Sequence, residues 1–187
     1  IAGRLNHLGY VSRSWLGWQI PIFTSGNYSN SRIDSINTKK ILQFLKQGGV
    51  PIITGFQGIN SQNRITTIGR GGSDASAIMI AKFFSAKRCV IYTDVNGVYT
   101  TDPKIVPNAK KIKKISYEEM LEMASLGAKV MQPKSIQDAR LNRIDIEVRN
   151  SFKNISGSLI TKRKNVSKKN IIRGVSFTKN DAKVTLI

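Results

Sequence analysis

Three clusters of residues have the types and spacing that handle anions. The first is Thr66-Thr67-Ile68-Gly69-Arg70-Gly71-Gly72-Ser73-Asp74. Its glycines let the backbone turn sharply and approach a ligand closely. A helix that starts near Ser73 aims its free N–H groups at negative charge. Arg70 adds a planar fork matched to a carboxylate or phosphate. The same spacing also suits a tight loop in which Arg70 is solvated and Ser73 is an ordinary helix cap.

The second cluster covers residues 92–104, Tyr92-Thr93-Asp94-Val95-Asn96-Gly97-Val98-Tyr99-Thr100-Thr101-Asp102-Pro103-Lys104. An apolar strand ends here and delivers Thr93 and Asp94 to its carboxyl end, where parallel sheets place their ligands. Tyr99 offers a flat face for a base, or else a core side chain, and Lys104 a charge for a polyphosphate. Asp102-Pro103 reads most simply as a turn starter. In the third cluster, Gly127-Ala128-Lys129-Val130-Met131-Gln132-Pro133, Lys129 stands between two expected helices. With nineteen lysines in the chain, only its position relative to the first two clusters singles it out.

The elements that position these residues follow from periodicity and punctuation. Ile20-Pro21-Ile22-Phe23-Thr24 reads as a strand. Residues 36–47 carry Ile41, Leu42 and Leu45 at helical spacing before Gly48-Gly49. Val50-Pro51-Ile52-Ile53-Thr54 is an apolar run of the kind covered on both faces. A helix over 75–86 buries Ala77, Ile78, Ala81 and Phe84, and residues 88–93 form the next strand. Ser116 and Glu119 make a capping box, and Pro133 opens a helix running to about Leu141. Ile144, Ile146 and Val148 alternate with charged residues as in a half-buried strand. At the amino end, residues 1–8 read as the end of a helix stopped by Gly9. Strands alternating with helices of this length predict an α/β fold, a mainly parallel sheet sandwiched by helices.

Composition narrows the function classes. The chain has 187 residues, 40% of them hydrophobic and 22% charged, which excludes a disordered tail or a fibrous repeat. No apolar run approaches the roughly 18 residues of a membrane span. One cysteine, Cys89, and one histidine, His7, leave no internal disulfide and no metal centre built from Cys or His. These features predict a soluble, cytoplasmic protein without a membrane partner. The net charge of +19 raises nucleic acid as a partner. The basic residues are nevertheless spread along the chain, with one dense cluster at 162–169, and no aromatic-interleaved basic strand appears. Nucleic-acid binding is therefore the lesser expectation.

The three clusters, in this order, resemble the amino-acid kinase family and, within it, the aspartate kinases. Ile53-Thr54-Gly55-Phe56-Gln57-Gly58, then residues 67–74, 92–103 and 116–132, are similar to consecutive blocks of that family over nearly the whole chain. The Arg70-Gly71-Gly72-Ser73-Asp74 element separates the aspartate branch from the acetylglutamate, glutamate and uridylate kinases, which remain the alternative. The resemblance implies ATP-dependent phosphorylation of the side-chain carboxylate of L-aspartate, with magnesium on the nucleotide phosphates and no protein-built metal site. It implies that Arg70, Gly71, Gly72 and Ser73 bind aspartate and that Asp74 organises the catalytic lysines. Thr93, Asp94, Tyr99 and Lys104 fall on its nucleotide positions, Lys129 and Val130 on a later phosphate contact, and the resemblance suggests a homo-oligomer.

The sequence departs from that pattern in three places. Lys104 stands where arginine is usual, keeping the charge without the fork. The opening lysine-glycine-glycine strand and the glutamate region of the substrate site are not in the chain, so the 187 residues alone are expected to have little kinase activity. Residues 174–178 and 182–186 are similar to the first strands of an ACT regulatory module. The expected organisation is a catalytic domain over 1–161, a basic linker over 162–172 and the start of that module over 173–187, with both ends cut from something longer.

Overall fold

The computed structural model describes residues 1–128, 130–162 and 174–176. The chain divides into two compact units, Ile1–Cys89 and Val90–Ile187. The expected basic linker lies almost wholly outside the described residues, as does all but a three-residue stretch of the expected regulatory strands.

The first unit opens with α1 (Ala2–His7), after which Gly9, at φ +86°, reverses the chain into β1 (Ser12–Trp15). β1 pairs in parallel with β4 (Val50–Ile53), Ser12 opposite Val50 and Trp15 opposite Ile53. Helix α2 (Lys39–Lys46) precedes β4 and buries Ile41. It ends where Gly48 adopts φ +79°, and the next residue must also be small because a Cβ on Gly49 would sit 2.5 Å from the Phe44 ring. A second sheet runs in the order β3-β2-β5-β6. Its strands are β2 (Ile22–Asn27), β3 (Asn30–Ile36), β5 (Gln57–Ile59) and β6 (Ile65–Thr67). The β2·β3 and β5·β6 pairs are antiparallel hairpins, whereas β2 meets β5 in parallel. Thr24 and Thr66 share a buried hydroxyl–hydroxyl bond of 2.6 Å across this sheet.

Trp15, Ile20, Ile22, Ile33, Ile36, Ile41, Ile68 and Ala75 form the core of this unit, Ala75 coming from α3 (Gly72–Phe83). Each large apolar side chain so buried stabilises the fold by about 1.5–3 kcal/mol before the entropy of ordering it.

The boundary between the units falls inside β7 (Arg88–Thr93). The second unit continues with β8 (Lys114–Ser116), α4 (Tyr117–Ser125), α5 (Pro133–Asn142), β9 (Asp145–Asn150) and β10 (Ser158–Thr161). The sheet order is β7-β9-β10-β8, with β10 parallel to β8 and antiparallel to β9. The expected capping box is present: Glu119 N–H donates to Ser116 Oγ at 3.1 Å, and Ser116 N–H donates to Glu119 Oε2 at 2.9 Å. Pro133 occupies the first turn of α5, and Arg143 ends that helix in the left-handed region. Ile146, Val148 and Asn150 alternate inward along β9, and Ile115, Met120, Ile136 and Ile160 are buried in the same unit. The fold is α/β, with parallel pairs where a helical connection intervenes and antiparallel pairs at hairpins. No helix of the described residues is long and apolar enough to cross a membrane.

Candidate functional site

The glycine cluster of the first unit is a strand-to-helix turn whose shape leaves no room for side chains. Gly69 and Gly71 have φ of +83° and +72°, a region L-residues avoid. A Cβ on Gly69 would lie 2.6 Å from Asn30 Oδ1, and one on Gly72 would lie 2.8 Å from both Ile68 and Phe56. Gly72 N–H closes the turn onto Gly69 O at 2.9 Å, and Ala75 N–H donates to Gly71 O at 3.1 Å. Ser76 braces the turn from below: its hydroxyl donates to Gly72 O at 2.6 Å and accepts from Phe56 N–H at 2.9 Å.

Helix α3 therefore begins at Gly72 with Gly71 in the left-handed region and no side-chain cap. Among the described residues no protein acceptor meets the N–H of Ser73 or Asp74, so the helix start leaves two donors open. Arg70 and Ser73 are exposed beside it. No carboxylate of the described residues pairs with Arg70. Asp74 is half-buried in the first turn, and burial pushes its carboxyl above the ordinary value of 3.8. It too has no cationic partner among the described residues. Its charge reaches Cys89, whose thiol is raised to about 11 by burial first and by Asp74 second.

In the second unit, β7 delivers Thr93 and Asp94 as expected, and Thr93 Oγ1 donates to Asp94 Oδ1 at 3.1 Å. The turn that follows is held by two buried polar residues that the sequence did not single out. Asn150 Nδ2 donates to Asp94 O at 3.1 Å and to Asn96 Oδ1 at 3.0 Å, while its Oδ1 accepts from Phe152 and Lys153 N–H at 2.7 and 2.9 Å. Ser158 Oγ accepts from Val98 N–H at 2.8 Å and donates to Ile112 O at 2.5 Å. A Cβ on Gly97, at φ +131°, would press within 2.6 Å of that same hydroxyl. The legible signal was the inward parity of Asn150 with Ile146 and Val148 on β9, where a polar residue needs partners.

Tyr99 is half-buried and bridges to Lys111. Lys104 is exposed in a turn where its N–H donates to Asp102 Oδ1 at 2.9 Å, which makes Asp102-Pro103 the turn starter expected. Val130 is half-buried ahead of buried Met131, and Lys129 lies outside the described residues. The structure thus brings Arg70, Gly71, Gly72, Ser73 and Asp74 together in the first unit. Thr93, Asp94, Tyr99, Lys104 and Val130 all belong to the second. No group of three or more His, Cys, Asp or Glu of the described residues comes together as a metal site.

The amino acid kinase family profile matches residues 4–150, and the chain belongs to that family. Among curated relatives it is 47% identical to an aspartokinase of Rickettsia felis over 176 residues, 94% of this chain and 44% of that protein. It is 42% identical to an aspartokinase of Geobacillus stearothermophilus over 187 residues, 100% of this chain and 46% of that one. The chain spans just under half the length of these relatives. Among solved structures it is similar to Escherichia coli aspartokinase III in complex with aspartate and ADP, with a TM-score of 0.78 and 31% identity, over 88% of this chain and 38% of that one.

Proposed function

We propose that this chain is part of an aspartate kinase, which transfers the γ-phosphoryl of ATP to the side-chain carboxylate of L-aspartate. The observation that carries the reading is the glycine-built start of α3, with Arg70 lacking an acidic partner among the described residues on one side and Asp74 half-buried on the other. The aspartate and ADP named with the Escherichia coli relative support it.

In this reading Arg70 and the N–H groups at Ser73 take the α-carboxylate of aspartate, and Gly71 and Gly72 let the substrate come against the backbone. Asp74 offers a negative charge to ammonium groups, those of the catalytic lysines among them. Thr93, Asp94 and Tyr99 receive the nucleoside, and Lys104 and Val130 lie toward its phosphates. Lys129 takes a phosphate contact on the family resemblance alone. A side-chain carboxylate oxygen forms the new bond to the γ-phosphorus as the bond from that phosphorus to the β–γ bridging oxygen breaks, and ADP leaves. Nucleophile and phosphate are both anions, so positive charge and alignment are what the protein must supply. Magnesium bound with ATP would supply positive charge to the phosphates, with no ligand from the described residues required. The reading extends to a cytoplasmic homo-oligomer with a catalytic domain over 1–161, a linker over 162–172 and regulatory strands over 173–187.

The test is hydroxylamine trapping of the acyl phosphate after incubation of the full-length parent protein, of which this chain is a part, with ATP, magnesium and a panel of acceptors. Aspartyl hydroxamate is expected. Product from N-acetylglutamate or glutamate, or UDP from UMP, in place of it would overturn the assignment to aspartate.

A further inference from the structure

Phe56 holds a backbone conformation that bulky side chains avoid. Among the described residues Phe56, Asn63, Ser85 and Arg143 have positive φ without being glycine. Three of them are in customary places. Asn63 closes a turn onto Asn60 O, and Ser85 and Arg143 lie just past the ends of α3 and α5. Phe56, at φ +68° between β4 and β5, has no such excuse. Glycine would make the same bend without steric cost. The ring does not repay the strain as core either, because Phe56 is 45% exposed. Strain of this kind persists where the surroundings enforce it, and it concentrates at functional sites.

What enforces it is a single buried hydroxyl. Ser76 Oγ accepts the Phe56 N–H at 2.9 Å and gives its own proton to Gly72 O at 2.6 Å. A hydroxyl can do both at once, and Ser76 is buried in α3 away from water. Ile68 N–H completes the hold by donating to Phe56 O at 3.1 Å. The ring is placed as a consequence. A Cβ on Gly72 would lie 2.8 Å from Phe56 Cδ2, so the ring packs on the backbone between Gly71 and Ser73. Gly55 passes over the same turn, where a Cβ would lie 3.5 Å from Ser73 Cα. Strand end and helix start are thus locked together beside the open N–H groups of Ser73 and Asp74.

We propose that Ser76 is a positioning residue for the phosphoryl acceptor, holding the strained Phe56 so that its ring walls the acceptor pocket at the start of α3. The role rests on the reading above, in which the acceptor binds at this helix start. Ser76 is buried and acts through Phe56 rather than on the acceptor itself. Without the hydroxyl, the Phe56 N–H loses its partner and the peptide relaxes out of the left-handed region. The ring then leaves its place over Gly72, and the acceptor loses one wall.

The test is steady-state kinetics on the full-length parent protein, using whichever acceptor of the panel above it phosphorylates. A wrong acceptor assignment and a wrong role for Ser76 are then read separately. Ser76→Ala is expected to raise the acceptor KM about tenfold or more and to leave the ATP KM within about twofold, since small misplacements at a site cost this much. Ser76→Cys, a milder change of similar shape, should raise the acceptor KM severalfold, and it decides the matter if Ser76→Ala does not fold. Phe56→Gly removes ring and strain together, so it should raise the acceptor KM without lowering Tm. In the Phe56→Gly background Ser76→Ala should add less than about twofold, because the ring it positions is gone. An unchanged acceptor KM in the Ser76 variants, or in Phe56→Gly, overturns the proposal. So does an equal rise in both KM values, or a double variant in which the two effects multiply in full.

Discussion

At the scale of single residues, Arg70 and Asp74 face opposite demands although they are four positions apart. Arg70 is exposed and has no acidic partner among the described residues, so its removal costs the fold little. A charge-assisted bond to a bound carboxylate contributes about 1.5–3 kcal/mol. On the proposed function, Arg70→Ala in the full-length parent should therefore weaken aspartate binding roughly ten- to a hundredfold by calorimetry and leave ATP affinity within twofold; an unchanged aspartate affinity would make Arg70 a surface residue. Asp74 carries the opposite cost. Burial holds its folded carboxyl above 3.8, so between 3.8 and that raised value the folded chain keeps a proton the unfolded chain has released. Stability consequently falls as pH rises through that window, and the deficit is fully present at neutral pH. Asp74→Asn should raise Tm at pH 7 by about 1–3 °C, solvent screening keeping the effect small, and the gain should fade below pH 3.8. The same change removes the charge that helps hold Cys89 near 11, so the thiol pKa should fall in the variant. Loss of Tm at pH 7 would show that Asp74 makes a stabilising contact rather than awaiting one.

At the scale of elements, the site rests on turns braced by buried polar side chains. Asn150 uses its whole amide, two donor bonds and two acceptor bonds, to hold the turn after β7. Asn150→Ala would strand several of those groups away from water, at about 1–3 kcal/mol each. The expected result is a Tm lower by several degrees, with a raised Kd for ATP and an unchanged Kd for aspartate. Equal losses for both ligands would mean general unfolding rather than a misplaced turn. These braces also mark where the sequence was legible. The capping box at Ser116, the glycine stops after α1 and α2 and the apolar runs of β4 and β7 were readable because each rests on contacts within a few residues. The glycine turn was readable for the same reason. By contrast β1, β3, β5, β6, β8 and β10 went unread. All of them but β3 have four residues or fewer, with β6 in a polar stretch, and β3 pairs with β2 through a register shift at Phe23/Thr24 that breaks the alternation. β1 pairs with β4 and β8 with β10, partners distant in sequence, so no local pattern announces them. Asn150 and Ser158 were missed likewise: what makes them important is a turn more than fifty residues away.

At the scale of the whole molecule, the charge of +19 has to be reconciled with a compact fold of the amino acid kinase family. Ion pairing does little to balance it. The described pairs Arg32–Asp34, Arg140–Glu118 and Arg149–Glu147 are long, at 3.6–3.9 Å, and all but the last are well exposed. Pairs of this kind contribute about 0–1 kcal/mol. Thirty basic residues against eleven acidic ones leave most cations repelling one another across the surface. Such self-repulsion destabilises the compact state relative to an unfolded chain, in which the same charges move apart. Salt shortens the reach of each charge, from about 30 Å at 0.01 M to about 8 Å at 0.15 M. Tm should therefore rise by several degrees between 10 and 300 mM sodium chloride, most of it below about 150 mM. A protein stabilised by its surface pairs would lose Tm over that range instead. The same titration bears on nucleic acid as a partner. Binding driven by charge alone weakens steeply with salt for any sequence, so retention of mixed DNA or RNA at 10 mM that vanishes by 300 mM is the expected pattern. Sequence-dependent binding that survives at 300 mM would instead give the charge a purpose of its own.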